Sequence, residues 1–234
     1  MMKRADMKRI SPALILLVCG ALACGTGSHV QPVNPDLKVY RPAVPPLDSR
    51  HSSSKLDRVA PGTWARYHVA SDGNEATVTL GAVRVEGKSL WVEVVEEGDP
   101  RKASLRRITF AGEVASARYQ EIPASGAPSE VADQPVSPGV DPGSLRGPPA
   151  RVKEEKRMIK VGDRTIEAKV YRKVYRDEAV GREYEEEEAW STEVPPLQEN
   201  LEIAGETAGL IYRKTPSGAV DLVDWGTGYA ALVP

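Results

Sequence analysis

From Trp64 onward, apolar and polar residues alternate with a period of two, the period of half-buried β-strands. Trp64 to Ala70 places Ala65, Tyr67 and Val69 on one face, and Glu75 to Leu80 repeats the pattern with Ala76, Val78 and Leu80. Gly81 and Ala82 break the phase before Val83 and Val85 resume it, which predicts a β-bulge at Gly81. Glu86-Gly87-Lys88 then turns the chain into a strand over Leu90 to Val95. Two more strands are predicted over Ser104 to Phe110 and Val114 to Glu121.

The sharpest hairpin signal is Gly162-Asp163, between the strands Arg157 to Val161 and Arg164 to Tyr175. A two-residue turn there sets Ile159 opposite Ile166 and puts Val161, Ala168 and Val170 on one face. A strand over Glu183 to Trp190 returns with four consecutive glutamates, Glu185 to Glu188, against Arg172, Lys173 and Arg176, so facing strands pair opposite charges. Leu210 to Lys214 and Ala219 to Trp225 meet across Pro216-Ser217-Gly218. Helical periodicity is confined to Val152 to Arg157 and Leu197 to Ala204. The whole pattern predicts a mainly β protein, a curved antiparallel sheet or open half-barrel with few short helices.

Two proline-rich stretches interrupt the alternation. Residues 24–61 are polar, with Pro32, Pro35, Pro42, Pro45 and Pro46, and read as a tether. Residues 122–150 carry Pro123, Pro128, Pro135, Pro138, Pro142, Pro148 and Pro149, and read as a mobile insertion within a single β-rich domain over 62–234. Neither flank of that insertion is large enough to close a core alone.

Residues 1–23 differ from everything that follows. Lys3, Arg4, Lys8 and Arg9 precede the apolar run Pro12 to Val18 and then Ala21-Leu22-Ala23-Cys24, a basic region, an apolar region and a small-residue cleavage site. The run is well short of the roughly 20 residues of a membrane-spanning helix. Ala23-Cys24 resembles the lipobox of bacterial lipoproteins, with Ala21 where leucine is usual. The resemblance implies a signal peptide over 1–23, lipidation of Cys24 and a membrane anchor made of N-terminal acyl chains. Gly25 stands where an aspartate retains such proteins at the inner membrane, so the resemblance implies the periplasmic face of the outer membrane. Cys19 is the other cysteine and falls in the removed segment, so no thiol remains for a disulfide, a zinc site or a nucleophile.

Composition narrows the functional classes. Lys+Arg number 31 and Asp+Glu 33, and the leader holds four of the basic residues and one of the acidic ones. The remainder is mildly acidic, which gives no electrostatic reason to expect nucleic acid as a partner. His29 and His51 fall in the tether and read as solvated, while His68 shares a strand face with Trp64 and Arg66 and lacks a nucleophile or a carboxylate at useful spacing. Three scattered histidines make no zinc site. On a strand, Glu185 to Glu188 alternate between faces, which suits a solvated, ion-paired strand better than a calcium or acid–base cluster. Gly226-Thr227-Gly228 has no helix after it and reads as a turn. The sequence thus predicts no catalytic residue, no metal ligand and no cofactor.

Gly62-x-Trp64-x-x-Tyr67, Ala189-Trp190-Ser191-x-Glu193-Val194-Pro195 and Leu222-Val223-Asp224-Trp225-Gly226 resemble segments of the LolA, LolB and RseB group of envelope half-barrels. That likeness implies an apolar concave face for acyl chains or a lipoprotein, with Trp91 and Trp190 as candidate ligand-lining residues. Three functions follow as expectations. They are a non-catalytic lipoprotein binding an apolar ligand or envelope protein, a structural or assembly lipoprotein docking by a sheet edge, and, more remotely, a periplasmic hydrolase.

Overall fold

The computed structural model describes residues 41–51, 55–138, 148–177 and 181–234. The expected signal peptide over 1–23, Cys24, His29 and most of the expected tether lie outside the described residues. The short strand β1 (Leu47–Asp48) is followed by the long meander β2 (Trp64–Ser71), β3 (Asn74–Glu86), β4 (Ser89–Glu96), β5 (Arg101–Thr109) and β6 (Val114–Ile122). Two short strands, β7 (Ala132–Asp133) and β8 (Val136–Ser137), come next. The chain then builds β9 (Arg151–Val161), β10 (Arg164–Asp177), β11 (Arg182–Ser191), β12 (Asn200–Ile203), β13 (Glu206–Thr215) and β14 (Gly218–Gly226). Strands make up 63% of the structure and helix 2%, so sheet pairing satisfies most of the backbone.

One antiparallel sheet runs in the order β7-β6-β5-β4-β3-β2-β14-β13-β11-β10-β9, with β12 also pairing β13, and it does not close into a barrel. The expected β9–β10 hairpin forms in the expected register. Gly162 takes a φ of 57°, Val161 pairs with Arg164 and Ile159 with Ile166. A two-residue turn of this kind needs the left-handed conformation that glycine supplies without steric cost.

The sheet nearly divides in two. β14 pairs with β2 along its whole length but with β13 only through Tyr212–Thr215 against Gly218–Asp221. Beyond that join the halves curl toward each other: β9 touches β14, and Arg164 pairs with Asp224 at 3.6 Å while its guanidinium lies 4.3 Å from the centre of the Trp225 ring. The inner faces consequently share one core, in which Tyr67, Val78, Leu80, Val92 and Leu222 of one half join Val161, Ile166, Ala168, Val170 and Ala189 of the other. Tyr67 crosses the gap and donates from its hydroxyl to the Leu210 carbonyl at 3.1 Å.

Three local expectations are corrected. The bulge falls at Val83, where the pairing with β4 slips between Ala82 and Arg84. Gly81 keeps regular pairing with Trp64 and Glu93, and the Tyr229 ring lies against it in the space a Cβ would fill, which only glycine leaves free. Residues 152–157 belong to β9 and residues 200–203 to β12, since a helix of one or two turns has too few hydrogen bonds to outweigh the cost of nucleation, whereas a strand has a ready neighbour. The one helical turn among the described residues is Leu56–Arg58.

Part of each proline-rich stretch packs on the sheet. Leu56 and Val59 are buried in the core, held by Lys55 N–H to the Phe110 carbonyl at 2.9 Å and His51 N–H to the Gly112 carbonyl at 2.7 Å. Strand β1 pairs in parallel with β8 through Leu47 and Val136. Ser129 and Gln134 are buried as well, their N–H groups bonded to the carbonyls of Glu121 and Ala117. Of the expected mobile insertion, residues 139–147 lie outside the described residues.

Candidate functional site

The two candidate tryptophans occupy separate places, both on the outer face of the sheet. Successive residues of β4 alternate, so Leu90, Val92 and Val94 enter the main core while Trp91, Glu93 and Val95 point the other way. Trp91 packs with Val95, Ala103, Leu105 and Val233. Its indole N–H donates to Glu86 at 2.6 Å, and the Arg84 guanidinium lies 4.6 Å from the ring centre. Trp190 packs with Ala208 and Leu210 in a second small cluster bordered by Tyr171, Leu201 and Ile203. Both indoles are under 10% exposed, at 6% and 3%. The protein's own chain encloses each of them: residues 229–234 lie over the first, and Leu201 and Ile203 of β12 with Tyr171 of β10 pack beside the second.

The cover on Trp91 is built around Glu93, which has no exposed surface. Its carboxyl group accepts hydrogen bonds from the Tyr229 hydroxyl at 2.5 Å, from the N–H of Leu232 at 2.9 and 3.0 Å, and from the N–H of Val233 at 2.6 Å. Burial and the bond to Glu93 together push the Tyr229 phenol far above its ordinary pKa. A buried acid satisfied by backbone donors of a terminal segment is a structural clasp.

The four glutamates of β11 divide between faces. Glu187, on the inner face, accepts from Tyr212 at 2.5 Å and from Arg172 at 2.6 Å, and the Tyr212 bond first, then Arg172, hold it below the usual carboxylate range. Glu188, on the outer face, accepts from Lys173 at 2.7 Å and Arg213 at 3.0 Å. Burial alone would raise its pKa, but Arg213 and Lys173 more than offset this and the net shift is downward. Arg213 also forms a two-pronged pair with Glu199 at 2.5 and 2.7 Å. Ion pairing is as expected, whereas Glu186 and Glu188 are buried and not solvated.

His51 is the residue whose setting the sequence conceals most. It is 9% exposed, and its Nε2 donates to the Leu197 carbonyl at 2.8 Å. Burial first, then the nearby Arg106 cation, pushes its pKa down to about 4, so the imidazole is neutral at pH 7. The solvated reading of His51 is thereby corrected, because docking of residues 41–51 turns the ring onto the sheet. His68 stays half-exposed, with Glu75 at 3.7 Å. Among the described residues no group of three or more His, Cys, Asp or Glu side chains is placed to hold a metal ion.

β9 and the hairpin next to it leave much of their surface open. β9 is the last strand of the sheet and pairs with β10 alone among the described residues. Val152 and Met158 on it are 55% and 61% exposed. β10 and β11 run on beyond the last β11–β13 pair, Glu187 with Lys214, as far as Asp177 and Arg182. There Tyr175 and Tyr184 stack at 5.3 Å between ring centres. No protein-family model matches the chain, and no curated protein matches it in sequence.

Proposed function

We propose that this chain is a non-catalytic bacterial lipoprotein, anchored through acyl chains on Cys24 at the periplasmic face of the outer membrane. There it docks an extended segment of an envelope protein along β9. The observation that carries this reading is the eleven-residue edge strand on which Val152 and Met158 are the two most exposed large apolar side chains among the described residues. In a hairpin closed by a two-residue turn, alternate residues of the outer strand direct their N–H and C=O groups away from the partner. By that alternation Val152, Glu154, Lys156, Met158 and Lys160 offer backbone groups to an added strand, and adding a strand needs an extended polypeptide. The charged residues of β9 guard the edge against indiscriminate pairing.

A photo-crosslinking residue at Met158 in cells is expected to give a discrete adduct. Lys156→Pro, which blocks an added strand while leaving the β10 ladder intact, should abolish the adduct without lowering the thermal midpoint by more than a few degrees. An adduct that survives the proline sinks strand addition. Cys24→Ser should release the protein from washed membranes, and unchanged membrane recovery sinks the anchor.

Binding of an apolar ligand on the inner face is the second reading, supported by the continuous apolar cluster there. A ligand would have to lift Leu56, Val59, Val194 and Leu197 from that face. Recovery of the purified chain with a bound lipid by native mass spectrometry would favour it over edge docking.

A further inference from the structure

Arg106 is a partly buried cation with no acid paired to it among the described residues. It projects from the inner face of β5, its cross-strand neighbours being Val92 of β4 and Ala117 of β6, which are 0% and 4% exposed. Its Nε donates to the Ser104 hydroxyl at 3.1 Å. Ser104 in turn donates to Gln134 at 2.5 Å, and Gln134 donates to the Pro45 carbonyl at 3.0 Å. Among the described residues no carboxylate forms an ion pair with Arg106, although arginines elsewhere in the sheet, such as Arg157, Arg172 and Arg213, have one or more. Burial with no compensating acid pushes its pKa down to about 10, and it remains a cation at neutral pH. The adjacent His51 is neutral and already committed to Leu197.

A guanidinium drawn partly out of water gains when an anion pairs with it, and the two Nη groups of Arg106 have no protein partner among the described residues. With Nε held by Ser104, the two Nη groups form a planar fork whose geometry suits two oxygens of a carboxylate or phosphate. The residue keeps partial exposure, so a small ligand can reach it from solvent. Ser104, Gln134 and the docked segment around Pro45 fix the fork's orientation.

We propose that Arg106 anchors an oxyanion site on the inner face of β5, receiving the carboxylate or phosphate group of a small ligand. The site lies away from β9, so it goes beyond the docking reading and stands or falls separately from it.

The test uses the purified chain with acetate, inorganic phosphate and dodecanoate as separate probes, read by calorimetry and thermal midpoint. At least one probe should bind the native protein and raise its midpoint. Arg106→Met should weaken that binding tenfold or more while keeping or raising the midpoint without ligand, because it removes an unpaired charge and preserves the packing stem. Arg107→Met, on the opposite face of the same strand, should bind like the native chain. Arg106→Lys, which keeps the charge and loses the fork, should bind with intermediate affinity and covers the case of a Met variant that does not fold. Binding of acetate or phosphate identifies a free anion as the ligand, and binding of dodecanoate alone identifies the head group of an amphiphile. Failure of all three probes, or equal binding by native and Arg106→Met proteins, overturns the proposal.

Discussion

Glu93 and Glu187 sit in equivalent surroundings by sequence, each on an alternating strand with basic residues nearby, yet they belong to two differently built halves of one sheet. The β2–β6 half is covered on both faces: docked residues 41–51 and 55–59 and the curled second half lie inside, and the segment 229–234 clasped by Glu93 lies outside. The β9–β11 hairpins leave much of their surface open and are tied together by side-chain ion pairs. Arg172–Glu187 at 2.6 Å, Arg151–Glu183 at 2.5 Å and Lys169–Glu154 at 2.7 Å are among them. A buried acid with several donors is expensive to disturb, because each abandoned donor loses its partner without gaining water. A half-exposed ion pair exchanges one solvated arrangement for another. The comparison separates a half built for persistence from one whose surface is available to a partner.

Breaking the clasp should have the largest effect. Glu93→Ala strands the Tyr229 hydroxyl and the N–H groups of Leu232 and Val233, and it uncovers Trp91. A loss of roughly 3 to 5 kcal/mol in urea unfolding is expected, with faster amide exchange over 229–234. A loss below about 1 kcal/mol would mean that the terminal segment is not held by this acid.

Acidification should strike the same half next. The folded pKa of His51 lies near 4 against 6.5 when unfolded, so folding favours the neutral ring. Its contribution is complete above about pH 6.5 and disappears as pH falls toward 4, because the unfolded chain takes up the proton first. At 1.36 kcal/mol per pKa unit this amounts to about 3 kcal/mol. His51→Gln keeps a donor for Leu197 and should flatten stability between pH 4 and 6.5. An unchanged acid slope in that window would assign it to other groups. The carboxylates Glu187 and Glu188 have lowered pKa values and contribute below that window.

The smallest effect belongs to the open hairpins. Arg172→Met should cost roughly 0.2 to 1 kcal/mol, a loss that shrinks at high salt. A larger, salt-independent loss would show that the hairpins are packed as firmly as the β2–β6 half.

The local pairing was legible because its causes are local. Gly162-Asp163 needs only a left-handed residue and flanking alternation, and Arg172 meets Glu187 because the turn fixes the count between them. The pairing of β14 with β2 was not legible, since strands more than 140 residues apart leave no mark of their neighbour in either sequence. His51 and Arg106 escaped for the same reason. A histidine in a proline-rich stretch and an arginine on an alternating strand both look solvated until a distant segment docks over them.

By itself the sequence determined most of the long strands, the turn at Gly162 and the division of Glu185 to Glu188 between two faces, all consequences of backbone period and turn chemistry. Only the tertiary structure decided that the two halves curl over a shared core and that Trp91 and Trp190 are enclosed by separate segments. It alone set a cation at Arg106 with no acid beside it among the described residues. Those outcomes depend on which remote surfaces lose water together, and no window of neighbouring residues contains that information.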